Sequence, residues 1–96
     1  MKPSVALDQN RQAVIRIVEK HKASNARVFG SVLAGTDHDG SDLDLLVDPT
    51  PRMSLFDLGA LRAELQSLLG ISVDILTPGA LPETFRDDVM RAAAPL

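Results

Sequence analysis

The stretch FGSVLAGTDHDGSDLDLLVD, residues 29–48, places several acids directly before an apolar run. A Gly-Ser pair, Gly30-Ser31, opens it, and a polar loop follows. The apolar run LLV, residues 45–47, is typical of a buried strand. Asp is disfavoured in strands, so acids at the start of one require an explanation. The stretch therefore predicts a buried strand that presents carboxylates at its beginning.

The composition of the chain limits the kinds of protein that it can be. Its 96 residues suit one domain with one modest core. Hydrophobic residues make up 45% and charged residues 24%, which argues against disorder. The net charge of -3, with few aromatic residues, disfavours a long nucleic acid as the main partner. The absence of cysteine excludes disulfides and thiol catalysis. Because neither a signal peptide nor a membrane span is evident, we expect a cytoplasmic protein.

Hydrophobic periodicity predicts the element order α-β-(short α)-β-α-β-α. The predicted helices cover residues 4–22, 31–35, 55–69 and 81–94, and the predicted strands cover residues 26–29, 42–47 and 71–76. Ser4 is expected to cap the first helix, and Ser54 with Asp57 forms a capping-box pattern. The second and third strands should be parallel, and the first and second antiparallel. We therefore expect residues 1–96 to form one α+β domain, a two-layer α/β arrangement with a mixed sheet of about three strands.

Three acids are candidate metal ligands. Asp42 and Asp44 are two residues apart on a strand, so both point to one face while Leu43 and Leu45 point into the core. Their α-carbons should lie roughly 6.6 Å apart, which lets the carboxylates converge on two divalent ions. Asp74, in the third strand, reaches the same face if the two strands are neighbours. Hard oxygen ligands suit Mg²⁺ or Mn²⁺ rather than zinc.

The Gly-Ser pair is a candidate phosphate site. A glycine where a strand gives way to a helical turn lets a ligand approach the backbone closely, and Gly30 has that place. The turn amides and the Ser31 hydroxyl can hold phosphate oxygens, so the pair and the acids together describe a nucleoside triphosphate site. The alternative is an ordinary Gly-Ser turn beside solvated acids at a strand end.

These residues resemble a known family. Gly30-Ser31, ten residues and then Asp42-Leu43-Asp44 match the Gly-Ser-x10-Asp-x-Asp signature of the polymerase-beta-like nucleotidyltransferases. The segments VDILTPGAL and FRDDVMRAAAPL, with the chain's size, resemble the minimal nucleotidyltransferase (MNT) subgroup. The resemblance implies a palm-like fold with Asp42, Asp44 and Asp74 as catalytic metal ligands. It also implies that Asp74 activates the attacking hydroxyl and that Gly30 and Ser31 hold the triphosphate.

The resemblance also implies a reaction and a partner. The reaction would be transfer of AMP from ATP to a hydroxyl, with two Mg²⁺ ions (or Mn²⁺) and release of pyrophosphate. MNT proteins commonly act as antitoxins that add AMP to a tyrosine of a HEPN-type ribonuclease toxin, a type VII toxin–antitoxin pair. A chain of 96 residues leaves little room for an acceptor-binding domain, so we expect the acceptor to be a partner protein.

Two other functions stay open. Ala34 stands where family members often carry an arginine, in the pattern Ser-x-Ala-Arg-Gly, and this favours a binding module that neutralises its partner by contact alone. A small-molecule nucleotidyltransferase, such as an antibiotic-modifying enzyme, is the third hypothesis, although such enzymes usually carry an extra helical domain. The sequence leaves the role of Asp48 and the formation of a homo-oligomer open.

Overall fold

The computed structural model describes residues 1–96 and contains five α-helices, four strands and one 3-10 turn. In chain order the elements are α1 (Pro3–Asp8), α2 (Arg11–Lys20), β1 (Ala23–Phe29), α3 (Gly30–Ala34), β2 (Leu43–Pro49), α4 (Leu55–Leu69), β3 (Val73–Leu76), the 3-10 turn (Pro78–Ala80), α5 (Glu83–Ala92) and β4 (Ala94–Pro95). Every predicted element is present in the predicted order, but the first helix is divided into two and a fourth strand follows the last helix; most element ends move by one to three residues.

The four strands form one sheet in the order β3-β2-β1-β4. The pair β1–β2 is antiparallel and the pair β2–β3 is parallel, as the lengths of their connections predict. The sequence predicts about three strands, whereas the sheet has four. The additional strand, β4, has two residues, Ala94 and Pro95, which pair with Val28 and Arg27. Two residues are too few to produce a detectable period, so only the folded chain reveals this strand.

The main core lies between one face of the sheet and the helices. Leu43, Leu45 and Val47 alternate along β2 and are completely buried on that face. Leu61 and Leu65, one turn apart on α4, are completely buried against them. Burying one such leucine contributes about 1.5–3 kcal/mol. The packing fixes which face of β2 is apolar and leaves Asp44 on the opposite face.

The first predicted helix is two helices, and Ser4 does not cap it. Lys2 occupies the N-cap position and Pro3 the first turn, where its missing N–H is no loss. The Ser4 N–H donates instead to the Asp37 carboxylate at 2.9 Å. The helix is interrupted between α1 and α2 because the side chain of Asn10 donates to the Ala6 carbonyl oxygen at 2.8 Å, in competition with the helical hydrogen bonds of the backbone.

The helix α4 begins and ends at the residues that the sequence predicts. The Ser54 hydroxyl accepts from the Asp57 N–H at 3.2 Å, and the Asp57 carboxylate accepts from the Ser54 N–H at 2.8 Å. The predicted capping box is therefore present. Gly70 ends the helix at φ +68°, where glycine has no steric penalty. The helix returns the chain to β3 and so determines where Asp74 enters the sheet.

Candidate active site

Asp44 and Asp74 lie on neighbouring strands at the end of the sheet where β2 and β3 begin. Asp44 is the register partner of Asp74 across the parallel pair. Directly opposed residues of neighbouring strands project from the same face, so the two side chains are neighbours. Asp42 lies just before β2, is exposed, and reaches the same end of the sheet. The structure thus brings together the three acids that the sequence singled out.

The environment of Asp44 differs from that of the other two acids. Asp44 is half-buried, whereas Asp42 and Asp74 are exposed. Burial, then the charge of Asp74 and then the charge of Asp42 raise the pKa of the Asp44 carboxyl above its ordinary value. A raised pKa means that the negative form is costly here without a compensating cation. Perturbed acids of this kind concentrate at functional sites.

Gly30 lies directly against the Asp44 carboxylate. Its φ of +71° belongs to the left-handed region that favours glycine. A β-carbon placed on Gly30 would overlap the carboxylate, with the Asp44 Cγ at 3.0 Å and its Cβ at 3.3 Å. Only a residue without a side chain allows this approach. The backbone at Gly30 and the half-buried Ser31 therefore begin α3 immediately beside the acids.

The loop from α3 to Asp42 is attached to the N-terminus of the chain. Asp37 is buried in this loop and accepts the Ser4 N–H, and this hydrogen bond is the main cause that lowers the pKa of Asp37. Asp39 accepts from the terminal amino group of Met1 at 2.8 Å. These two acids thus have structural partners and are not part of the acidic group. Nothing local in the sequence distinguishes them from Asp42, because both partners lie more than 30 residues away.

Asp48, whose role the sequence left open, belongs to an ion pair. Its carboxylate accepts from Arg27 at 2.6 Å and from the Asn25 side chain at 2.9 Å. The Arg27 side chain is only 10% exposed, so it requires a counter-charge. Asp48 is four residues along β2 from Asp44, towards the other end of the sheet. We assign Asp48 to the stability of the sheet rather than to the acidic group.

The donor set fits a hard divalent cation. Asp42, Asp44 and Asp74 offer only carboxylate oxygens, the ligands that Mg²⁺ and Mn²⁺ prefer. Burial raises the pKa of Asp44 first, and the like charges of Asp74 and Asp42 add to the effect; such a cation would neutralise those charges. In the protein alone, no three carboxylate or histidine side chains are drawn together tightly enough to enclose a metal ion. Asp42, Asp44 and Asp74 are the residues that would hold such a cation.

A groove runs beside Asp74, between α4 and the outer edge of β3. Its walls are formed by Leu55, Leu58, Gly59, Arg62, Asp74 and Ile75. Leu55 and Phe56, at the start of α4, are 86% and 90% exposed. A hydroxyl group of a large molecule can therefore approach Asp74 from the solvent side.

None of the helices has the length and apolar character that crossing a membrane would require.

Comparison with known proteins decides the family. Residues 12–96 match the family described as Polymerase beta, Nucleotidyltransferase. The chain belongs to this nucleotidyltransferase family. The resemblance indicated by the Gly-Ser pair and the Asp-x-Asp motif is thereby confirmed. The family match covers the Gly-Ser pair, the loop, β2 and β3, and so includes the whole acidic group.

Individual relatives of the family agree with this assignment. The chain is 32% identical over 87 residues to the candidate protein adenylyltransferase MJ0435 of Methanocaldococcus jannaschii, covering 91% of this chain and 94% of that protein. It is 36% identical over 64 residues to the protein adenylyltransferase MntA of Thermococcus cleftensis, covering 67% of this chain and 65% of that protein.

Solved structures share the fold. A candidate minimal nucleotidyltransferase superposes with a TM-score of 0.87 and 40% identity, over 97% of this chain and 95% of that one. A toxin–antitoxin complex crystallised with AMP-PNP superposes with a TM-score of 0.76 and 23% identity, over 90% of this chain and 71% of that one. The second likeness shows the fold alone.

Proposed function

We propose that this chain transfers AMP from ATP to a hydroxyl group of a partner protein. The observation that carries the proposal is the register of Asp44 with Asp74, together with Gly30 packed on the Asp44 carboxylate. This arrangement supports a divalent cation held by the acids and a phosphate group at the Gly30 backbone, both at one end of the sheet. Phosphoryl transfer depends on such positioning and charge neutralisation more than on covalent participation of the protein.

Each residue of the site has a proposed role. Asp42, Asp44 and Asp74 hold the divalent cations, Mg²⁺ or alternatively Mn²⁺, whose chemistry is to neutralise the charge of the triphosphate. Gly30 and Ser31 bind the triphosphate through the backbone and the hydroxyl group. Asp74, which is exposed beside the groove, receives the proton of the attacking hydroxyl. The hydroxyl oxygen bonds to the α-phosphorus of ATP, and the bond from that phosphorus to pyrophosphate breaks.

The relatives support a protein as the acceptor. MJ0435 and MntA are described as protein adenylyltransferases, the first as a candidate. The exposure of Asp74 beside an open groove suits a large acceptor. We propose that the acceptor is a tyrosine of a HEPN-type ribonuclease toxin and that the chain is the antitoxin of a type VII pair. AMP on that tyrosine would silence the toxin.

The test is transfer to the product of the adjacent gene. The purified chain, ATP and Mg²⁺ are incubated with that product, and its intact mass is measured. We expect a gain of one or more AMP groups, with the site located on a tyrosine by peptide mapping. The matched controls are Asp44→Asn, which removes a proposed ligand, and Asp88→Asn, which changes an exposed acid of α5. No gain of mass with the parent chain would contradict the proposal.

Ala34 favours a second candidate function. Ala34 is exposed at the end of α3. Because alanine has no guanidinium group, this position offers no cation to phosphate or to a partner. The chain could then neutralise a toxin by contact alone. A variant with Asp42→Asn and Asp44→Asn together separates the two functions. A protein that acts by contact still neutralises the toxin with both substitutions, whereas an adenylyltransferase does not.

A further inference from the structure

Asp74 lies on β3, an edge strand of the sheet. The strand β3 has four residues and lies at the edge of the sheet, paired only with β2. A short edge strand is held by backbone hydrogen bonds on one side alone. The side chain of Val73, completely buried in the core, holds it from one face. Its outer edge needs another restraint if the direction of Asp74 is to be fixed.

Two side chains of α4 bind that outer edge at Val73. The Arg62 Nε donates to the Val73 carbonyl oxygen at 2.9 Å. The Gln66 Oε1 accepts from the Val73 N–H at 3.1 Å. Arg62 and Gln66 are four residues apart, so they lie on one face of α4, and both hydrogen bonds are partly buried. We call this pair of hydrogen bonds the Val73 clamp.

We propose that Arg62 and Gln66 are positioning residues, which direct the Asp74 carboxylate towards Asp44 through the Val73 clamp. Val73 immediately precedes Asp74, so its peptide plane determines the direction in which the Asp74 side chain leaves the strand. Without the clamp, β3 can rotate about its hydrogen bonds to β2. Such a rotation moves the Asp74 carboxylate away from its register partner. This inference rests on the proposed role of Asp74 in the transfer reaction.

The Val73 clamp is separable from the stability of the core. Leu61, Leu65 and Leu69 already bury the apolar face of α4. Arg62 is exposed and Gln66 is half-buried, so loss of their polar groups removes little apolar surface from the interior. The main effect of breaking the clamp should therefore be on alignment. Misplacement of a reacting group by about 1 Å can reduce a rate by about 100-fold.

The first test compares kinetics in two backgrounds. Arg62→Met and Gln66→Met each remove one hydrogen bond of the clamp, whereas Arg62→Lys retains a donor and Gln66→Glu retains an acceptor. Transfer to the adjacent gene product should fall about tenfold or more in each Met variant, with KM for ATP within about twofold of the parent. The Lys and Glu variants should recover part of the rate. In an Asp74→Asn background, Arg62→Met should cause no further loss. Equal losses in both backgrounds would overturn the inference.

The second test does not depend on activity. Amide hydrogen exchange at Val73, Asp74 and Ile75 should become faster in the Met variants and stay near the parent rate in the Lys and Glu variants. Arg16→Met, at an exposed arginine of α2, is the control and should change neither exchange nor rate. Unchanged exchange in Arg62→Met would overturn the clamp. If the parent transfers no AMP at all, the proposed function fails, but the exchange rates still decide whether the clamp holds β3.

Discussion

Asp44 and Asp74 lie in register on adjacent parallel strands, and Asp44 is half-buried whereas Asp74 is exposed. Two like charges on opposed positions destabilise a sheet, and burial adds to that cost. The fold tolerates the pair because the opposite face of β2 is completely buried. A local cost at such a place is expected of a functional site, and the proposed cation would relieve it.

Replacing Asp44 should stabilise the metal-free protein at neutral pH. Its pKa is higher in the folded chain than in the unfolded chain, so the folded state loses stability as the pH rises through the window above the ordinary value of 3.8. At pH 7, with a chelator present, Asp44→Asn should raise the Tm by about 2–4 °C, a value that allows for solvent screening. At pH 3 the two proteins should differ by less than about 1 °C. Thermal melts at both pH values make the measurement.

Asp42→Asn serves as the comparison for that experiment. Asp42 is exposed, and its removal relieves only part of the repulsion, so its Tm should equal or slightly exceed that of the parent. A marked decrease of Tm in either Asn variant would show that the carboxylate makes a stabilising contact in the metal-free protein.

Mg²⁺ with ATP should reverse the order of stability. A ligand that binds only the folded state stabilises it by about 2.7 kcal/mol at a concentration of 100 Kd. The parent should therefore gain several degrees of Tm with Mg²⁺ and ATP together, and lose that gain on addition of a chelator. Asp44→Asn should gain little under the same conditions. If both proteins gain equally, ATP binds without this carboxylate.

Gly30 and Gly35 form a matched pair for testing the approach to Asp44. Both have φ near +72°, but a β-carbon would meet the Asp44 carboxylate at Gly30 and open space at Gly35. Gly35→Ala should cost about 1–2 kcal/mol from backbone strain alone. Gly30→Ala should cost more, about 2–4 kcal/mol, and weaken ATP binding. Urea unfolding measures the difference. In an Asp44→Ala background most of the difference should disappear, because only the β-carbon contact at 3.3 Å remains, and an undiminished difference would mean that another contact is responsible.

Asp48 should matter for stability and not for transfer. Asp48→Ala leaves Arg27 buried without its counter-charge and should lower the free energy of unfolding by about 1–3 kcal/mol. Asp88→Ala breaks an exposed ion pair with Arg91 and should change it by less than about 0.5 kcal/mol. Urea unfolding and AMP transfer at a temperature where both variants are folded provide the two measurements. A complete loss of transfer in folded Asp48→Ala would place this acid in the site.

Much of the fold follows from local sequence. Alternation along residues 43–47 determines which side chains enter the core and leaves Asp44 on the other face. The capping box at Ser54 and the left-handed Gly70 define α4, because both depend on residues within one helical turn. The Gly-Ser pair and the Asp-x-Asp motif likewise carry the family signature within fifteen residues.

Other features depend on residues that are distant along the chain, and only the tertiary structure decided them. The register of Asp74 with Asp44 requires α4 to place β3 beside β2. Asp37 becomes a partner of Ser4, and Asp48 a partner of Arg27, only when separate segments meet. The local sequence around an aspartate does not reveal which of these partners it will have. Its role is set by what packs around it, because burial and neighbouring charges, rather than its own chemistry, determine whether it binds a cation, caps a helix or neutralises an arginine.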